Sequence, residues 1–320
     1  MASQAATVDE PARKTPIQTG DIIARLTTLI FAASILAITF LLVYQLFVSS
    51  QPARAAMGFG FLSSSTWNPV TEQFGALPFI YGTVVTSLLA MLISVPMGLG
   101  AAIFLSELAP ARISNALTFV IELLAAIPSV IYGLLAIFTL VPLMRSYGEP
   151  FLKHTLGFLP LFRGPAYGVG YLTAGLVLAI MTIPFVISVS RESLLAVPRE
   201  QREAALALGA TRWESTWQVV VPYAKLGILG SVFLGLARAL GETMAVTMVI
   251  GNVPQIHASL LAPGYSIAAV IANEFSEAGG NIYPAALVEL GLVLFCLTIV
   301  INSVARLMII ATTSKGSKRA

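Results

Sequence analysis

Arg238 and Glu242 stand four residues apart in the middle of an apolar run, residues 227–250. A guanidinium offers a planar fork of N–H donors that matches a tetrahedral oxyanion. On a continuous helix the Glu242 carboxylate lies one turn further on, where the two side chains can meet. There it would orient the arginine or accept a proton from a partly protonated anion. It would also repel a fully deprotonated one, which sharpens selectivity. Helical spacing brings Ser231, Gly235, Gly241 and Ala245 near the same face, and small residues let neighbouring helices approach. An arginine at the centre of a bilayer costs ~2.5–3.5 kcal/mol on insertion scales, so the pair should point into a bundle or cavity. Two readings stand at this point: a structural ion pair that fixes helix packing, or a station for an anion. Glu122 and Glu289 are further carboxylates in apolar runs, and each is able to titrate, snorkel or pair.

The elements that must position these groups are membrane helices. Of 320 residues 57% are hydrophobic and 10% charged, with mean hydropathy +0.87, far from the balance of soluble domains. About 20 apolar residues cross the hydrocarbon core as helix. Six uncharged or nearly uncharged runs qualify, at about 26–48, 81–105, 116–140, 168–190, 227–250 and 285–308. They lack period-two alternation and are too long for barrel strands. The expected fold is therefore an all-α integral membrane protein with six spans in one domain, 21–312. Short tails, 1–20 and 313–320, flank it, the first rich in Ala, Pro, Thr and Gln and expected to be disordered. Pro96, Pro128 and Pro184 interrupt spans two, three and four, either as tolerated membrane prolines or as gating bends.

Charge gives the orientation. With the N-terminus cytoplasmic, 13 lysines and arginines fall on that side and 4 outside, so both termini are expected in the cytoplasm. The outer four are Arg54, Arg145, Lys153 and Arg163. The net charge of +3 reflects this topology and does not point to nucleic acid. Ala53-Arg54-Ala55 imitates a signal-peptidase site, but the preceding apolar run exceeds a signal peptide's core. Cys296 has no partner cysteine, and His154 and His257 lack metal-ligand spacing, so no disulfide, metal or bound cofactor is expected.

The longest cytoplasmic loop, 191–223, carries its own organisation. Pro198 opens a helix running through Glu200, Arg202, Glu203, Ala204, Ala205 and Leu208, and Gly209 supplies a positive-φ stop. Thr211 with Glu214 forms a capping box for the next helix, which places Trp213, Trp217 and Val221 on one face. A short, smooth alanine helix suits a groove on a soluble partner, although an ordinary amphipathic surface helix has the same pattern. No phosphate-binding loop of the Gly-x-x-x-x-Gly-Lys type occurs, so any ATP hydrolysis belongs to another polypeptide.

Glu203-Ala204-Ala205, three residues, Gly209, nine residues, Val219-x-Val221-Pro222 resembles the signature of ABC importer permeases. Val219 and Val221 stand where Ile and Leu are usual. Ala237-Arg238-Ala239-Leu240-Gly241-Glu242-Thr243 and Glu122-Leu123-Leu124-Ala125-Ala126-Ile127-Pro128-Ser129 resemble motifs of the permeases of phosphate-specific transport (Pst) systems. Phe104-Leu105-Ser106-Glu107 and Ala272-Asn273-Glu274-Phe275 are similar as well, and the likeness is to the PstC-type branch. The resemblance implies a MetI-like type I permease that performs no chemistry itself. It implies a PstA-type permease as heterodimer partner and two PstB-type ATPases that hold ATP and Mg. It also implies a phosphate-binding protein, PstS, and residence in the bacterial inner membrane. Glu203, Ala204, Ala205, Gly209 and Pro222 would then serve ATPase coupling, and Arg238, Glu242 and Glu122 the substrate path. The alternatives are another oxyanion (phosphonate, sulfate or molybdate), a proton-coupled secondary transporter, or a scaffold that transports nothing.

Overall fold

A computed structural model describes residues 19–316; of the expected tails 1–20 and 313–320, residues 1–18 and 317–320 lie outside the described residues, and 19–20 and 313–316 belong to the first and last helices. The chain divides into two compact units, one ending at Val48 and one beginning at Ser49. The first unit is carried by α1, Thr19–Ser49. Its hydroxyls at Thr27, Thr28, Ser34 and Thr39 donate to carbonyls one turn earlier, so they need no water at membrane depth.

The second unit opens with α2 (Gln51–Met57) and α3 (Gly60–Ser63), then a two-stranded antiparallel hairpin, β1 (Trp67–Asn68) and β2 (Gln73–Phe74). The long α4, Leu77–Ile103, ends in a π-turn at Phe104–Leu108. Next come α5 (Ala111–Ala125), α6 (Ser129–Leu135), α7 (Val141–Leu143) and α8 (Glu149–Leu156), followed by α9, Tyr171–Leu195. After it lie α10 (Arg199–Ala207), α11 (Arg212–Ser215), α12 (Val221–Leu240) and α13 (Met244–Val249). The last helices are α14 (Ile267–Glu274) and α15 (Ile282–Gly316). Among the described residues six helical stretches are long and apolar enough to span: Gly20–Ser49, Leu77–Leu108, Ser129–Leu156, Tyr171–Leu195, Arg212–Leu240 and Ile282–Leu307.

Two spans differ from their sequence expectation. The run 116–140 is not one helix: α5 stops at Ala125, and the third span starts afresh at Ser129, after Pro128. Proline restricts the residue before it and has no N–H to give the previous turn, so it closes α5 and caps the start of α6. The same span then continues to Leu156 through π-turns at Ala136–Leu140 and Met144–Gly148, which bracket Pro142. Glu122 thus precedes the third span, while Arg145, Lys153 and His154 ride on it instead of in a loop. The fifth span likewise ends at Leu240 rather than near 250, and the chain re-enters helix only at Met244.

α9 is the hub of the bundle, packed on α4 and on α12. Small residues bring the axes together. A Cβ at Gly175 would sit 2.7 Å from the Leu89 Cβ, and one at Gly98 would sit 2.8 Å from the Val186 Cγ1. Ser190 and Ser231 share a hydrogen bond of 2.7 Å between α9 and α12, so neither hydroxyl is left bare. We expect Gly175→Leu to destabilise the folded chain by about 1–3 kcal/mol through overpacking, read as a lower thermal unfolding midpoint in detergent. An unchanged midpoint would mean that the α4–α9 seam is loose.

At the hairpin end, Trp67 and Tyr283 both donate to the Glu274 Oε2, at 2.9 and 2.6 Å, tying the hairpin to α14 and α15. Burial pushes the Tyr265 hydroxyl up to about 12, so it stays protonated and accepts from the Asn273 Nδ2 at 3.0 Å. The segment expected to dip into the membrane or cap a cavity is α14, its N-terminus closed by Ser266 and its first turn buried.

Candidate functional site

Arg238 occupies the last turn of α12, half-buried. Its guanidinium carbon lies 5.9 Å from the centre of the Phe185 ring on α9, a cation–π distance. Among the described residues no carboxylate comes within ion-pair distance of the guanidinium. The i+4 pairing with Glu242 is therefore not formed, because the helix that would align them ends at Leu240. Gly241 closes α12 with its N–H on the Ala237 carbonyl. Glu242 turns instead to the helix that follows, its Oε1 accepting from the Ala245 N–H at 3.2 Å. A carboxylate satisfies one of the bare N–H groups at a helix start as well as a capping residue does.

The chain is interrupted at Ala126–Pro128 and, just after Arg238, at Gly241–Thr243. The two breaks belong to packed elements, since α6 lies against α13. Gly133 permits this: a Cβ there would sit 3.2 Å from the Ala245 Cα. The Tyr132 hydroxyl donates to the Leu124 carbonyl at 2.7 Å, satisfying an acceptor that the end of α5 leaves open. Irregular backbone at membrane depth is tolerated where it is buried in protein or lines a cavity. The site is a guanidinium just before the Gly241–Thr243 break, with no carboxylate in ion-pair distance among the described residues.

Glu122 is exposed on α5 and lines a narrow cleft with Thr118, Ser188, Arg191 and Glu192, away from any direct contact with Arg238. The remaining carboxylate of the sequence reading, Glu289, pairs with Arg54 of α2 at 3.5 Å. Glu149 is 1% exposed and accepts from the Gly168 N–H at 3.1 Å. Neither the Arg54–Glu289 pair nor Glu149 was marked by motif or period, because their partners come from distant segments.

At the other end of the second unit, α10 carries Glu203 and Ala204 exposed and Ala205 half-buried. Pro198 precedes it with extended backbone, and Gly209 follows at φ +89°. The Thr211–Glu214 capping box is complete: Glu214 N–H donates to Thr211 Oγ1 at 3.2 Å, and Thr211 N–H donates to Glu214 Oε2 at 2.7 Å. Trp213 and Trp217 meet edge-to-face with centroids 5.6 Å apart, yet stay 56% and 44% exposed, and Leu208 is 90% exposed. Pro222 lies inside the helical stretch Arg212–Leu240, directly after the π-turn Thr216–Val220, an irregularity of the kind that accommodates a missing N–H. Clustered exposed apolar side chains on a polar segment mark a contact surface.

One side chain of this region escaped the sequence reading as more than a positive charge. Arg202 donates from Nε and Nη2 to the two Glu107 oxygens at 3.1 and 2.8 Å. It also donates to the carbonyls of Val197 and Leu194. Glu107 is 95 residues away in sequence, beyond any local pattern.

Residues 94–309 match the family of binding-protein-dependent transport system inner membrane components. The chain is similar to the phosphate transport system permease protein PstC of Mesorhizobium japonicum, 48% identical over 284 residues covering 87% of each. It is also similar to the PstC of Pasteurella multocida, 46% identical over 303 residues, 93% of this chain and 94% of that one. Among solved structures, a bacterial alginate ABC transporter superposes with TM-score 0.58 at 17% identity, covering 92% of this chain and 97% of that one. The MetNI methionine ABC transporter in inward-facing form gives 0.51 at 17% identity, over 71% and 93%. At that identity the likeness is one of fold.

Proposed function

This chain belongs to the family of binding-protein-dependent transport system inner membrane components, and we infer that it is the PstC-type permease subunit of an ATP-driven phosphate importer. The observation that carries the inference is 46% identity to a phosphate transport permease over 93% of the chain. The chain is a multi-pass membrane protein. In our reading both termini face the cytoplasm, a placement supported by the distribution of lysine and arginine. A PstA-type permease completes the translocation path, two PstB-type ATPases bind ATP and Mg, and a PstS-type protein delivers phosphate from outside. The chain itself catalyses no bond-breaking and holds no cofactor.

Arg238 is the anion station. That no carboxylate among the described residues pairs with it supports this role, because its donor fork is then left for a tetrahedral oxyanion. The half-helix start near it adds N–H groups of the same polarity. Glu242 accepts from backbone, which makes it a shaper of the break rather than a counter-ion to the arginine. Glu122 flanks the path toward the cytoplasmic side. α10, with Glu203, Ala204, Ala205 and the Gly209 stop, docks in the ATPase, and Pro222 lies in the span that carries Arg238.

The test is uptake of labelled phosphate into vesicles that hold the purified complex and enclosed ATP. We expect uptake to require both ATP and loaded binding protein, and to resist an uncoupler. Uptake by this chain alone, or uptake that collapses with the proton gradient, would overturn the importer reading. Competition by sulfate, molybdate or phosphonate in the same assay would move the substrate assignment.

A further inference from the structure

Arg202 uses four of its five N–H donors. Nε and Nη2 hold Glu107 bidentately at 3.1 and 2.8 Å, Nη2 also reaches the Leu194 carbonyl at 2.8 Å, and Nη1 reaches the Val197 carbonyl. The acceptors come from two places: the π-turn Phe104–Leu108 that ends the second span, and the last turn of α9 with its exit loop. The donor comes from α10. The two side chains are 20% and 10% exposed, so water competes little for the pair. A bidentate, shielded guanidinium–carboxylate contact fixes angle as well as distance. A second tie braces the same corner: Arg191 of α9 donates to Ser114 Oγ at 3.3 Å, and Ser114 donates to the Leu105 carbonyl at 2.7 Å.

Along the chain, α10 leads into α11 and α12 and connects to α4 only through the whole length of α9 and beyond. A push on α10 would therefore reach α12 through the backbone but reach α4 only by contact. We propose that the Arg202–Glu107 clamp is the direct contact from α10, beside the α4–α9 and α4–α12 seams: it makes α10, the end of α9 and the α4–α5 corner one lever, so that movement of α10 displaces the second span together with the fifth. Both residues are positioning residues, and the proposal rests on the coupling role of α10 given above.

The experiment measures assembly, ATP hydrolysis and phosphate uptake of the reconstituted complex carrying Glu107→Gln, Arg202→Lys, or both. Glutamine keeps the shape of Glu107 without its charge, and lysine keeps the charge of Arg202 without its fork. We expect each complex to assemble and to hydrolyse ATP in response to loaded binding protein, while phosphate moved per ATP falls about tenfold. The double variant should be no worse than either single one, as for two halves of one contact. A wild-type phosphate-to-ATP ratio in either assembled single variant would overturn the clamp. So would failure of Glu107→Gln to assemble, which would make the pair a folding staple. The wild-type complex, run alongside, separates the two ideas: if it moves phosphate without ATP, the importer reading fails and not the clamp alone.

Discussion

Arg238→Gln is expected to abolish phosphate uptake, to below about 1% of wild type, in a complex that still assembles. The magnitude follows from what is removed. A hydrogen bond to a charged group contributes about 1.5–3 kcal/mol, and a fork that supplies two of them accounts for a hundredfold or more. The specificity of the test follows from the structure. Had Arg238 been paired with Glu242, its loss would have stranded a buried carboxylate, and a folding defect would mimic a transport defect. Glu242 instead accepts from the Ala245 N–H, so it keeps its partner when the arginine is gone. What folding loses is the contact with Phe185, worth about 0.5–1 kcal/mol. Arg238→Lys retains a point charge without the fork, and an intermediate loss of about tenfold is expected. Labelled phosphate uptake into vesicles, with subunit recovery as the control for assembly, reads both variants. Normal uptake by Arg238→Gln would remove the anion station.

The parts of this molecule legible in its sequence are those decided within a few residues. Hydropathy located six spans because a bilayer imposes the same length on each. The Gly209 stop and the Thr211–Glu214 box were readable because a cap is local chemistry, and both appear as drawn from the residue types. The failures have the opposite character. The reading of 116–140 and 227–250 as unbroken helices let hydropathy override Pro128 and Gly241, and the chain breaks beside both. Gly241 was counted as a small packing residue, whereas its larger effect is to end α12 and send Glu242 away from Arg238. Contacts across sequence, Arg202 with Glu107 and Arg54 with Glu289, left no trace in spacing at all. Charge alone said that these residues needed partners, and only the fold supplied them.

Ala205→Arg should release the ATPase subunits, weakening their capture about 30-fold or more, while leaving the permease folded. The helix tolerates the change: arginine is a strong helix former, and the Ala205 carbonyl still accepts from the Ala210 N–H at 3.2 Å. Ala205 is half-buried on a nine-residue helix whose neighbours Glu203 and Ala204 are exposed, so little of the chain's own packing is disturbed. A docked alanine face leaves no room for a guanidinium. Burying that charge without a partner, or tilting the helix to avoid it, costs at least about 2 kcal/mol of binding, which converts to the stated loss. Ala205→Ser, of nearly the same size, should bind as wild type. Recovery of the ATPase with tagged permease measures the effect, and undiminished recovery with Ala205→Arg would remove α10 as the docking element. The pattern also separates docking from transmission. Ala205→Arg loses capture, and with it hydrolysis and uptake together, whereas Glu107→Gln keeps capture and hydrolysis and loses uptake, because only the contact behind the docked helix has been cut.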